Sequence, residues 1–173
     1  MWGGSGTLRA MSRLALVLLL LSHPALAEEG EHAIALTPRY AVEVTSGEDL
    51  HGAGLGVGWE WGIDDYWGLV AEGSWSHHFG TTDVDVALLL AGIRYSIDAF
   101  EWVPHVDLLV GGALLAGGVV EGDFAIAAGG GLDWRPARGY AVGIEGRYHA
   151  LVTRLDTLPA YVTAGVRVVF YLP

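Results

Sequence analysis

Residues 52 to 63 read Gly-Ala-Gly-Leu-Gly-Val-Gly-Trp-Glu-Trp-Gly-Ile, with the large apolar side chains at odd positions and Gly or Glu at even ones. Side chains of a strand alternate between the two sides of its sheet, so this stretch predicts a strand with one bulky apolar face and one small, partly charged face. A strand lying over a soluble core presents a solvated mixture of polar residues on its other side. Here the other side is mostly glycine, which suits a crowded interior better than a wet surface. A narrow closed barrel in a membrane has the required arrangement: apolar residues against lipid, small or charged residues in the lumen.

The same alternation recurs along the chain. Eight segments, near 33–45, 51–63, 66–79, 84–97, 102–115, 124–135, 140–150 and 160–172, are separated by turn-forming stretches such as Asp64-Asp65, Gly80-Thr81-Thr82-Asp83, Asp98-Ala99, Gly117-Gly118 with Glu121-Gly122-Asp123, and Pro136-Ala137-Arg138-Gly139. Segments of this length suit strands crossing a bilayer at a tilt, and an even number suits a single-chain barrel. The predicted fold is therefore all-β: an eight-stranded antiparallel up-and-down transmembrane β-barrel. Pro38 lacks a ladder donor and predicts a bulge or bend in the first strand. The first half of the fourth segment is apolar on both sides, so alternation alone leaves the register of 84–90 open.

The N-terminus carries an address. Arg9 and Arg13 precede the run Leu14 to Leu21, and Ala25-Leu26-Ala27 supplies a small-residue cleavage site ahead of Glu28. This is the pattern of a secretory signal peptide over 1–27, leaving 28–173 as one barrel domain. The chain has no Cys, so disulfides and thiolate metal sites are excluded. Its nine basic residues are all Arg, and its formal net charge of -11 argues against nucleic acid as a partner.

Inward-facing positions gather charges of both signs: Arg39, Glu43, Glu60, Glu72, Arg94, Asp107, Asp133, Glu145, Arg147 and Arg167. In an eight-stranded barrel the interior is just filled by side chains, so these are expected to pair across the lumen and plug it. A narrow polar path for small solutes is the competing use of the same residues. Aromatic residues fall near the strand ends: Trp59, Trp61, Tyr66, Trp67, Tyr95, Trp102, Trp134, Tyr140 and Phe170 at the end expected to face the periplasm, and Trp75, Phe79, Phe124, Tyr148 and Tyr161 toward the other. Two such belts match the two interfaces of a bilayer.

Segments such as Ala91-Gly92-Ile93-Arg94-Tyr95, Pro104 to Gly112 and Ala127 to Asp133 resemble the repeating hairpin elements of small OmpA-like and OmpW-like outer-membrane barrels. The resemblance spans 32–173 and implies an integral protein of the bacterial outer membrane, in contact with its lipid. Val166, Val168 and Phe170 resemble the C-terminal signal read by the outer-membrane assembly machinery, which implies that machinery as a partner during biogenesis. The family pattern ends on the aromatic, whereas Tyr171-Leu172-Pro173 follow here.

Two other classes of protein share parts of this pattern. A soluble exported barrel of lipocalin type, binding an apolar ligand, requires the same alternation with inside and outside exchanged. A lipid A-modifying enzyme requires a hydroxyl nucleophile beside a His base on the bilayer side. Ser74-Trp75-Ser76-His77-His78 is the stretch that invites the second idea, but Ser76 and His77 alternate onto opposite faces, and Phe79 stands two residues after His77. No catalytic residue, cofactor or metal set is predicted. His77, His78 and His149 have no diagnostic ligand spacing, and the Gly-rich runs lack the helix and Lys of a phosphate loop.

Overall fold

The computed structural model describes residues 30–44, 51–80, 83–97, 101–153 and 160–172. The alternating segments form eight strands: β1 (His32–Glu43), β2 (His51–Gly62), β3 (Trp67–Phe79), β4 (Val84–Ser96), β5 (Trp102–Ala116), β6 (Val120–Ala137), β7 (Tyr140–Leu151) and β8 (Ala160–Leu172). Each pairs antiparallel with its chain neighbour, and β1 pairs with β8, so the sheet closes in the order β1 to β8 with no free edge. Closure leaves no open sheet edge, the condition for strands to lie in hydrocarbon. The segment 1–27 read as a signal peptide lies outside the described residues, as do the expected turn at Asp98-Ala99 and residues Thr81 and Thr82.

The turn between β2 and β3 follows from its sequence: Asp64 Oδ1 accepts the backbone N–H groups of Tyr66 and Trp67 at 2.8 and 2.7 Å. A short carboxylate that bonds its own downstream backbone reverses the chain without a long loop.

Three local expectations are corrected. Of the bulge or bend expected at Pro38, the bulge is absent. The β1–β2 register runs through Pro38↔Leu55, and the β1–β8 register stays unchanged on either side of Thr37 and Pro38, from Leu36↔Val168 to Arg39↔Gly165. The missing donor is absorbed by skipping rungs toward β8 alone. Glu121-Gly122-Asp123 is strand, not loop: it pairs with Leu115, Leu114 and Ala113, and the chain reverses at Gly117-Gly118-Val119, where Gly118 adopts φ 96°. Glycine alone takes that conformation without steric cost, so the reversal occurs there and β5 and β6 form the longest hairpin. At the other end of β6 the strand continues to Ala137 with a register shift between Trp134 and Ala137, so the turn expected over 136–139 is confined to Arg138-Gly139.

The open register of 84–90 is resolved. Val86, Leu88 and Leu90 point inward, while Asp85 and Leu89 point out.

Candidate functional site: the lumen and the outer band

The barrel is polar within and apolar without. Arg39, Glu72, Arg94, Asp107, Asp133, Glu145, Arg147 and Arg167 are all buried, whereas Leu55, Val57, Val106, Leu108, Val110, Ile144 and Val166 are exposed. The reversed arrangement required by a soluble lipid-binding barrel is absent.

Nine of the ten charged residues predicted for the lumen join into one connected belt. Arg39 reaches Glu72 at 2.9 Å and Glu145 at 3.4 Å. Arg147 reaches Glu72 at 2.7 Å, Asp107 at 2.9 Å and Glu145 at 3.6 Å. Arg94 bridges Glu60 at 2.8 Å and Asp107 at 2.7 Å. Arg167 closes the circuit, pairing with Glu60, with Asp133 at 3.1 Å and with Glu145 at 3.6 Å. The members come from all of β1 to β8, so the belt ties each wall of the barrel to the others. Glu43 is the exception: it lies half-buried at the far end of β1 and joins none of the ion pairs among the described residues.

The interior glycines explain how such long side chains fit. Eight of the nine charged members lie across the ladder from a glycine: Arg39 from Gly54 and Gly165, Glu72 from Gly58, Arg94 from Gly68, Asp107 and Arg147 from Gly129, Glu145 from Gly131, and Arg167 and Asp133 from Gly143; Glu60 lies between Ala33 and Val70. A methyl group on Gly56 would run into the Arg39 guanidinium, and one on Gly129 would lie 2.8 Å from Arg147 Cγ and 2.6 Å from the Gly146 carbonyl oxygen. Within the opening stretch, the Arg39 guanidinium fills the space over Gly56, while Gly52 and Gly54 are crowded by β3 at the His77 and Trp75 carbonyl oxygens. Gly129→Ala is accordingly expected to cost about 1–3 kcal/mol through overpacking. Denaturant unfolding in detergent micelles measures the loss, and Gly73→Ala, where an added methyl meets nothing within 4 Å, serves as its control.

Above the belt, toward the rim opposite the termini, the lumen changes character. Val86, Leu88, Leu90, Leu109 and Leu151 form an apolar cluster with Tyr161. Tyr161 was expected in the bilayer belt, but its odd position in β8 turns it inward, where it stacks on His149 with centroids 4.5 Å apart. His149 Nε2 shares a hydrogen bond with Thr163 at 3.1 Å, and His78 Nε2 shares one with Ser76 at 3.0 Å. Both belong to the packed interior. Below the belt, Arg135 pairs with Glu31 at 2.8 Å and its guanidinium carbon lies 3.8 Å over the Tyr171 ring. Arg135 was missed, although it shares the inward parity of Asp133 within the same strand.

Outside, the aromatic side chains form two rings. Trp59, Trp61, Trp67, Trp102, Trp134, Tyr140 and Phe170 are exposed near the end that holds both termini of the barrel, and Tyr95 is half-buried between Tyr66 and Trp67, its ring meeting the indole edge-on at 5.1 Å. Trp75, Phe79, Phe124 and Tyr148 are exposed toward the other rim, joined there by Tyr40, whose hydroxyl lies 2.7 Å from His51 Nδ1. His77 lies outside the lumen, paired with Asp85 at 3.0 Å.

A closed barrel with charges inside, aliphatic side chains outside and aromatic residues at both rims is the architecture of a membrane-spanning β-barrel. The fold is that of the small eight-stranded outer-membrane barrels. The structure of Neisserial surface protein A superposes with a TM-score of 0.71 at 12% identity, covering 82% of this chain and 99% of that one. OprG from Pseudomonas aeruginosa gives 0.64 at 12% identity, covering 87% and 99%. The outer membrane enzyme PagL gives 0.55 at 16% identity, covering 78% and 98%. No family model and no curated protein matches the sequence.

Proposed function

We propose that this chain is an integral outer-membrane β-barrel whose lumen is closed, acting as a structural element of the bacterial envelope rather than as a channel or an enzyme. The single observation that carries this reading is the belt of ion pairs filling the cross-section inside an apolar exterior. An open pore needs charges that face water, whereas the arginines of this belt are spent on carboxylates of other strands. The apolar cluster around Leu90 and Leu109 then stands between the belt and the far rim.

The N-terminal address supports export, and the alternating C-terminal strand supports insertion by the outer-membrane assembly machinery. Outer-membrane lipid is the partner of the exposed band. With both termini in the periplasm, the rim that carries Tyr40, Trp75 and Phe124 faces outward. The non-catalytic reading rests on the placement of the side chains that invited an enzyme: Ser76 and His78 face the lumen, and His77 has Phe79, not a hydroxyl, two residues on.

The test is conductance. The refolded protein in a planar bilayer is expected to give no discrete current steps, and Arg94→Met is expected to lower stability without opening it. Reproducible steps from the wild-type protein that change ion preference in Arg94→Met would replace the plug with a narrow solute path. Recovery of the protein in the soluble fraction without detergent would overturn the membrane assignment itself.

A further inference from the structure

The belt does not balance. Its connected members are four guanidiniums, Arg39, Arg94, Arg147 and Arg167, against five carboxylates, Glu60, Glu72, Asp107, Asp133 and Glu145. A surplus negative charge walled off from water is costly, and a buried site sheds that cost by taking up a proton or a cation. Among the described residues no three metal-ligating side chains cluster, whereas a proton needs only one acid with an unengaged oxygen.

The carboxylates differ in how they are compensated. Glu60, Glu72 and Asp107 each meet two guanidiniums, and Glu145 lies within 3.4 to 3.6 Å of three, although its Oε2 accepts no hydrogen bond. Asp133 meets one, through Oδ2, while its Oδ1 is buried with no hydrogen-bond partner. Facing it is His105, 4% exposed, with Nδ1 at 3.7 Å from Asp133 Oδ2 and neither ring nitrogen hydrogen-bonded. The least compensated acid of the belt thus lies beside its unengaged base. The other charged groups around that ring are Arg94 of β4, Arg167 of β8, Glu60 of β2 and Asp107 of its own strand.

We propose that the Asp133–His105 pair is a proton-binding site that retains one proton at neutral pH and so makes the lumen electrically neutral. The proton belongs to the pair: a carboxylic acid beside a neutral imidazole and a carboxylate beside an imidazolium cancel the surplus charge equally. The inference is a property of the closed lumen and holds whichever rim faces the cell. It also supplies a reason for a buried histidine with no hydrogen bond, which a purely structural role leaves unexplained.

Infrared and 15N NMR spectra of the refolded protein in micelles at pH 7 test it. The expected result is either a protonated-carboxyl stretch that vanishes in Asp133→Asn or an imidazolium signature at His105. Absence of both overturns the proposal, as does a carboxyl band that survives Asp133→Asn, which would place the proton on another acid such as Glu145. Unfolding equilibria give a second arm. Asp133→Asn, which exchanges one half of a neutral pair for a neutral amide, is expected to shift the folding equilibrium less than about tenfold, whereas Asp107→Asn strips a counter-charge from two guanidiniums and shifts it at least about 100-fold. Equal losses for the two variants would also overturn the proposal, because Asp133 would then be an ordinary ionised member of the belt.

Discussion

Replacing Arg147 by Met is expected to remove about 3–5 kcal/mol from the unfolding free energy, the largest loss of any single substitution in the barrel. Arg147 donates to Glu72 Oε2 at 2.7 Å and to both oxygens of Asp107, at 3.1 and 2.9 Å, with its own side chain 1% exposed. Methionine keeps most of the volume and none of the charge. Glu72 would retain only Arg39, Asp107 only Arg94, and the belt would carry an uncompensated negative charge. Urea unfolding in lipid vesicles measures the effect, and adding Glu72→Gln to Arg147→Met is expected to restore part of it by deleting one orphaned acid. Glu43→Gln is the control: with no ion partner among the described residues, it is expected to stay within about 0.5 kcal/mol of the parent. An Arg147→Met protein as stable as that control would mean that the belt is hydrated and its charges are screened.

The belt and the glycines opposite it are one device. A guanidinium reaching across a narrow lumen needs the neighbouring wall to recede, and the glycine on the facing strand provides that recess. Sequence alone shows both halves, as charge at one inward position and Gly at another, but not that they are partners. Alternation reports which face a residue occupies; the height at which two strands meet depends on stagger around the closed sheet. This is why the inward set was legible while its pairing was not, and why Glu43, with the correct parity, lies too far up β1 to join.

The other departures have separate physical origins. Tyr161 was placed by residue type, as an aromatic near a rim, although the alternation that turns Val162 outward turns Tyr161 inward. Arg135 was overlooked because Pro136 marked a turn, whereas the strand bulges past it and carries the side chain to Glu31. The composition of Glu121-Gly122-Asp123 argued for a loop, but pairing with the long β5 and the reversal available at Gly118 kept it in the ladder. For Arg135 and for Glu121-Gly122-Asp123 a long-range partner outweighed a local preference.

Val110→Arg is expected to cost about 2–4 kcal/mol if lipid bathes the exterior and almost nothing if water does. Val110 faces outward near the middle of β5, opposite Ala91 and Ile126, and is 46% exposed, so no interior contact is lost on substitution. Position along the strand then becomes the diagnostic. Trp102, at the end of the same strand and also on the outer face, lies where a headgroup region would begin, and a charge there has a short path to water. Trp102→Arg is therefore expected to cost less in membrane terms than Val110→Arg, although it also removes the indole that lies 6.4 Å from that of Trp134. Refolding yields and unfolding free energies in vesicles give the comparison directly. A depth-dependent penalty, greatest at Val110 and fading toward the rims, is a property of hydrocarbon that sheet propensity and side-chain packing do not reproduce. A flat profile would leave the apolar exterior without its solvent.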